Sequence, residues 1–365
     1  MTIADVTSAI EKFAPLALQE DYDNSGLQVG NRAQKCTGAL LCVDVTPAIV
    51  DEAVERGCNL IISHHPLIFK GLKRLTGNSQ VEQTVMKAIK AEVAIYSCHT
   101  AIDNATNGVS WEMARRLSVG DLQVLEPQQG KMLKLSVMAP DAHCETVKNA
   151  LFEAGAGAIG DYDSCSFSVQ GNGSFRALSG ANPFVGQVGE VHHEPETKID
   201  VVLPRWLRSR VERALIDAHP YEEPAYEFIA MENESKYLGS GVVGQLSESV
   251  SLAQLISQIK EAFNSPMVRC NTANVCQPVS KIAMCGGSGA FLIRNAIAHG
   301  AQVYITSDVK YHDFVDYKND IIIIDIGHFE SEECTKSIFY REIQEKFPNF
   351  ALYYSEIEKN PINYL

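Results

Sequence analysis

Two adjacent imidazoles, His64 and His65, follow the apolar run Ile61-Ile62 and stop at Pro66. Neighbouring side chains of an extended segment point in opposite directions. A shared site must therefore be wide enough for two centres, which suggests a pair of metal ions. Pro66 disfavours helical geometry at His65 and keeps the dipeptide in a strand-end or loop conformation. A satisfied surface or core histidine pair is the competing reading, and what else reaches the same edge decides between them. Two further stretches place ligand-type residues after apolar runs: His99 to Asp103, and Gly327-His328-Phe329-Glu330-Ser331-Glu332. If a helix begins near His328, then His328 and Glu332 stand at i and i+4 and share one face. Asp103 could instead cap the helix expected over 109–117, although it lies far upstream of it. Together His64, His65, Asp103, His328 and Glu332 offer three nitrogen donors and two carboxylates. That is enough for two first-row divalent ions joined by a carboxylate or a water. A closed structural zinc site usually uses cysteine, and this ligand set leaves positions open. Mixed histidine and carboxylate sites accept zinc, iron or manganese, so the donor set does not choose the metal.

Other residues are candidates for supporting roles. His99, and His312 in the stretch Thr306 to His312, could transfer protons if either reaches a metal-bound water. Gly286-Gly287-Ser288-Gly289, between a strand and a helix, could hold an anionic group at the helix start, although the full dinucleotide-binding and Walker spacings are absent. Asp23 and Asn24 precede Ser25-Gly26 and could reach a site, but turn chemistry alone explains them. His219-Pro220-Tyr221-Glu222-Glu223-Pro224 joins potential ligands to two prolines. The prolines suffice for a rigid connection, with a second metal or effector site as the minor alternative.

The elements that must position these groups follow an α/β grammar. A short helix is expected over 7–14, then a strand over 38–45, a helix over 47–56, the histidine-bearing strand over 59–63, a helix over 80–90 and a strand over 92–97. Ligands of such sheets gather outside the carboxyl ends of the strands, where His64, His65, His99 and Asp103 lie. A break follows at 125–130. Beyond it come a strand over 134–138, a helix over 145–154, strands over 165–169 and 175–178 around Gly171-Asn172-Gly173, a strand over 197–203, a helix over 205–218 and a strand over 225–231. With one strand to spare, this follows the β-α-β-β-α-β order of a ferredoxin-like domain. The α/β pattern then resumes with a helix over 252–263, strands over 281–285 and 302–305, and the isoleucine-rich strand 321–325 before His328, as a strand buried on both faces should look. The expected organisation is an α/β domain in two sequence halves, 1–126 and 233–365, with a ferredoxin-like α+β domain inserted over 127–232.

The chain of 365 residues carries a net charge of −14, with 45% apolar and 21% charged residues. An acidic chain argues against a general grip on nucleic-acid backbone and suits a cation partner. No apolar run reaches membrane-spanning length and the start lacks a signal pattern, so a cytoplasmic protein is expected. The ten cysteines never form a C-x-x-C pair and read as reduced core residues.

Four ordered stretches resemble a known family, the NIF-three-like proteins, often called GTP cyclohydrolase I type 2 homologues. They are Asp23-Asn24-Ser25-Gly26-Leu27-Gln28-Val29-Gly30, Ser63-His64-His65-Pro66, His99-Thr100-Ala101-Ile102-Asp103 and the stretch from Gly327 to Glu332. The resemblance implies a dinuclear centre on His64, His65, Asp103, His328 and Glu332. It also implies an α/β/α sandwich assembled as a toroidal homohexamer and a CutA-like insertion. Ala101 and Ile102 stand where relatives commonly have Asn and Leu, and Ser307 where Gly is frequent; none is a proposed ligand. The leading expectation is a metal-dependent hydrolase acting on a small nucleotide-like or phosphorylated molecule. The alternative is a non-catalytic metal carrier, sensor or regulatory scaffold.

Overall fold

The computed structural model describes residues 1–364. The chain divides into two compact units, Met1–Pro127 with Lys236–Leu365, and Gln128–Ser235. Each sequence half of the first unit supplies a sheet whose core is a trio of parallel strands. In one sheet Ala39–Cys42, Leu60–Ser63 and Ala94–Ser97 pair in parallel, flanked by parallel Leu352–Tyr354 and antiparallel Gly26–Val29. In the other, Pro278–Met284, Val303–Thr306 and Ile322–Asp325 are parallel, flanked by the antiparallel strands Gly239–Ser251 and Arg269–Cys270, with Val119–Pro127 at the outer edge.

Every residue of the first trio is buried. This is why these strands read as unbroken apolar runs rather than alternating ones. Leu40, Ile61 and Ile95 pack with Ile49 and Val85 from the helices Pro47–Glu55 and Gln80–Lys90, each such side chain contributing about 1.5–3 kcal/mol by leaving water. The register places Cys42, Ser63 and Ser97 side by side. The residues that follow them, Asp44, His64, His65 and His99, therefore emerge at one edge. Thr306 and Asp325 are likewise paired in the second trio, so Asp308 and His328 emerge together there.

The junction between the units follows from a strand pair that the sequence does not announce. Val119–Pro127 and Gly239–Ser251 are antiparallel partners, with Pro127 opposite Gly239. Neither alternates cleanly, and Gly239 and Gly241 have φ of +148° and +66°, which obscures the second strand. The expected break at 125–130 is thus the end of a strand. Residues 128–235 occupy the place of a hairpin loop.

The second unit is a four-stranded antiparallel sheet in the order Ser166–Arg176, Val191–Pro204, Met132–Pro140, Tyr226–Ala230. Helices Cys144–Glu153 and Arg208–Ala218 contribute Val147, Leu151, Val211 and Leu215 to a core with Leu135, Val137, Ile199 and Val201. The two strands expected on either side of Gly171 to Gly173 are one strand, Ser166–Arg176. Those glycines make no turn. A Cβ at Gly173 would stand 2.1 Å from Glu196 Oε2, so the position accommodates a neighbouring side chain. The first helix also begins earlier than expected, at Ile3, because Thr2 and Asp5 form a reciprocal capping box. All ten cysteines are free thiols. No helix among the described residues is long and apolar enough to cross a membrane.

Because Pro127 and Gly239 are already neighbours, replacing residues 128–235 by a short Gly/Ser tether is expected to leave a soluble first unit that melts cooperatively. Calorimetry of that variant checks it, and an aggregated product without a transition would contradict the separability of the two units.

Candidate metal centre

The backbone turns immediately after Ser63, the last residue of its strand. Ser63 Oγ lies 2.8 Å from both the His65 carbonyl oxygen and Ser97 Oγ. The amides of His64 and His65 donate to the carbonyls of Cys42 and Val43 at 3.2 and 2.9 Å. The turn brings both rings to one side, with centroids 4.9 Å apart. His99 joins them, 5.2 Å from His64 and 5.4 Å from His65. His328, which opens the short helix His328–Glu332, lies 5.3 Å from His65.

All four rings are oriented in the same way. Nδ1 of His65 bonds Asp44 Oδ1 at 2.9 Å, that of His99 bonds Asp23 Oδ1 at 2.9 Å and that of His328 bonds Asp308 Oδ2 at 2.7 Å. Nδ1 of His64 faces the Cys98 carbonyl oxygen at 3.2 Å. Carboxylates and carbonyls only accept, so Nδ1 carries the hydrogen and Nε2 is left as the ligating atom. The Nε2 atoms of His65 and His328 are 3.4 Å apart, and each lies 2.9 Å from Glu332 Oε2. His64 Nε2 is 3.5 Å from Glu332 Oε1 and 3.9 Å from Asp103 Oδ1.

These contacts fit a divalent cation. Two neutral Nε2 lone pairs against one carboxylate at 2.9 Å repel unless positive charge stands between them. His64 Nε2 and Asp103 Oδ1 are buried without a hydrogen-bond partner, a state that costs about 1–3 kcal/mol per group. Ligand atoms about 2.0–2.2 Å from one ion are separated by roughly the distances found here. Two groups of donors have all their ligand atoms within 4.8 Å of one another: His64, His65 and His99, and His65, His328 and Glu332. Asp103 is placed beside the first.

The electrostatics agree. Burial disfavours the charged form of His65, yet Asp44 and Glu332 outweigh it and push the imidazole up to about 10. His328, similarly buried, is pushed up to about 9 by Glu332 and Asp308. Burial alone would raise Glu332, but His64, His328 and His65 hold it well below the ordinary carboxylate range. Burial raises Asp103 against the pull of His64 and His99. A field that attracts protons this strongly also attracts a metal ion, whose uptake then releases protons.

A cavity of about 440 Å³ opens on this cluster, lined by His99, Asp103, His328 and Glu332 and by the rings of Tyr22 and Phe291. His312 is exposed on the short helix Tyr311–Asp316, against Tyr311, and does not line it. Gly286 and Ser288 line the cavity, and Gly287 lets Glu332 in: a Cβ there would stand 2.1 Å from Oε1. Asp44 and Asp308 carry no expectation from the sequence. Asp23, read as a turn residue, holds His99 while also accepting from the Thr100 amide at 3.0 Å and from its hydroxyl.

The model of the Duf34/NIF3 (NGG1p interacting factor 3) family matches residues 1–361. The chain is 37% identical over 325 residues to a GTP cyclohydrolase 1 type 2 homolog of Halalkalibacterium halodurans, covering 88% of this chain and 87% of that one. A Bacillus subtilis protein of the same description is 34% identical over 366 residues, 99% and 98% of the two chains. Among solved structures, a Bacillus cereus protein related to NIF3 superposes with a TM-score of 0.88 at 32% identity, covering 100% of this chain and 99% of that one. A Staphylococcus aureus protein superposes with a TM-score of 0.78 at 29% identity and the same coverage.

Substituting Asp44→Ala or Asp308→Ala is expected to weaken metal binding about 10- to 100-fold, because each imidazole loses the acceptor that fixes its orientation. Gly287→Ala, at φ +61° and against the Glu332 carboxylate, is expected to weaken it at least as much. Competition titrations with a chelator measure all three, and wild-type affinity in the aspartate variants would refute the orienting role.

Proposed function

The chain belongs to the Duf34/NIF3 family, and from that premise and the arrangement of its donors we propose that it is a dinuclear metal-dependent hydrolase acting on a small nucleotide-like molecule. The observation that carries this reading is the convergence of Nε2 atoms and buried carboxylates on one cluster, onto which a cavity lined by His99, Asp103, His328 and Glu332 opens, with each Nδ1 tied down on the far side of its ring. His64, His65, Asp103, His328 and Glu332 would hold the two ions. Bound there, divalent ions supply a water of lowered pKa and polarise the bond it attacks.

The remaining work falls to the chain's own residues. His99, fixed by Asp23 through Nδ1, presents Nε2 to the cluster and is placed to hold a proton during turnover. Among the described residues no lysine or arginine lines the cavity, whereas Glu20 and Glu126 do. A phosphate would therefore find its countercharge only at the metals. The two glutamates suit the N–H groups of a heterocyclic base, and the exposed rings of Tyr22 and Phe291 offer faces on which a flat ring can stack.

The reading extends to architecture. Strands buried on both faces need helical layers on both sides, which supports an α/β/α sandwich for the first unit. The sheet order of the second unit, with one helix inside each β-α-β half, supports a ferredoxin-like fold. A closed ring of six chains would restrict the cavities to small molecules.

Metal-loaded protein incubated with a panel of nucleotides, GTP included, and followed by mass spectrometry is expected to show turnover that depends on metal. Asp103→Ala should reduce it at least 10³-fold, as loss of a group acting in the transition state does. Full metal occupancy with every nucleotide unchanged would remove the hydrolase reading and favour a metal carrier or sensor.

A further inference from the structure

A cavity of about 720 Å³ lies wholly within the second unit, lined by residues between 138 and 225. It sits on the face of the second unit's sheet opposite its core. Along Val191–Pro204, Thr197, Ile199, Val201 and Leu203 point into that core. The alternate residues His192, Glu194, Glu196 and Lys198 therefore share the open face. Their partners on the edge strand are Phe175, Gly173, Gly171 and Val169 in turn, and cross-strand partners share a face.

Two consecutive open-face positions of the edge strand are thus glycines. Glycine weakens a strand interior and marks places where something approaches the backbone closely. Here it leaves a trough between Phe175 and Val169. The Glu196 carboxylate folds over Gly173, where a Cβ would collide with it, and Oε1 accepts the Tyr221 hydroxyl at 2.9 Å. Tyr221 stands between Phe175 and Phe184, with ring centroids 6.0 and 6.4 Å away.

The walls come from the stretch singled out in the sequence for its two prolines. His219 is not a ligand. Its Nε2 donates to the Met138 carbonyl at 2.9 Å, and its Nδ1 accepts the Tyr221 amide at 3.1 Å. Both ring nitrogens serve to hold the loop that presents Tyr221, Glu222 and Glu223. Glu222 accepts the Asn182 amide through Oε1 at 3.0 Å, fastening that loop to the segment that carries Phe184. Three carboxylates line the cavity, those of Glu196, Glu222 and Glu223, against one ammonium. That ammonium, on Lys198, lies 3.7 Å from Asp200.

We propose that this trough binds a small organic cation, an amine or quaternary ammonium bearing an apolar or aromatic portion. Aromatic rings attract cations through their faces, the carboxylates supply countercharge, and the volume suits a compact metabolite. An anionic ligand would meet three carboxylates.

Benzyltrimethylammonium serves as probe, with phenylacetate and benzyl alcohol as comparators of similar shape, titrated calorimetrically into the full-length metal-loaded chain. The cation is expected to bind saturably and phenylacetate not. Glu196→Gln combined with Glu222→Gln should weaken the cation roughly tenfold or more, and Tyr221→Leu similarly. Circular dichroism and metal content should be unchanged. Gly173→Ala provides a separate lever, since its Cβ displaces the Glu196 carboxylate without removing charge, and it should also weaken binding. Phenylacetate binding as well as the cation, or a double glutamine variant binding as the parent does, would overturn the proposal. Absence of saturable cation binding would overturn it too, and a fall in mass by light scattering on Phe175→Asp would then make the face a contact between copies of this chain.

Discussion

The carboxylate of Glu332 is the point on which the site depends. It is nearly inaccessible, and three imidazoles surround it. An isolated buried carboxylate costs far more than a fold can absorb. It is tolerable here because His65 and His328 each face it at hydrogen-bond distance while Asp44 and Asp308 support their outer nitrogens. Each aspartate in turn sits just past a strand end, where parallel register puts it beside its histidine. Asp44 is held further: Glu358 Oε1 accepts the amides of Val43 and Asp44 at 2.7 and 2.9 Å, and Lys336 Nζ pairs with Oε2 of the same glutamate at 3.0 Å. A residue near the chain's end thus fixes a loop near its beginning, which fixes a ring, which faces a carboxylate from the other sequence half.

Two halves of one unit contribute to this cluster in matching ways. In each, three parallel strands release chemistry-bearing residues from adjacent carboxyl ends. Pairing in parallel brings successive strand ends to one edge without further design, since every crossover helix returns the chain to the same side. What remains is to aim the side chains, and that is done by small groups: the Ser63 hydroxyl bracing the turn at the histidine pair, and Gly287 leaving room where Glu332 must pass.

The candidate ligands that meet in space are legible because metal chemistry demands particular residue types and because apolar runs mark where strands stop. His64, His65 and Asp103 could be placed from those runs alone, and His328 with Glu332 from helical spacing. Asp44 and Asp308 were not legible, since nothing local marks an aspartate beyond a strand as an imidazole's partner; the signal is the alignment of Cys42 with Ser63 and of Thr306 with Asp325, which sequence periodicity does not encode. Asp23 looked like a turn former and is one, while also orienting His99. The strand Gly239–Ser251 was hidden by its own glycines. Gly171 and Gly173 misled in the opposite sense, suggesting a turn where the chain runs straight past a neighbouring carboxylate.

The antiparallel partnership of Pro127 with Gly239 bears on how such a chain could arise. Closing a hairpin costs little more for a long excursion than for a short one, because loop entropy grows only logarithmically. A folded module dropped between those two residues therefore leaves the host sheet's register untouched. Lineages could gain, lose or exchange that module in one genetic event, and the candidate ligands would all stay in the host unit; the splice is nonetheless close to them, since Glu126, Ser240 and Gly241 line the same cavity as Asp103. The same spot is a natural acceptor for a foreign domain in engineered chimeras.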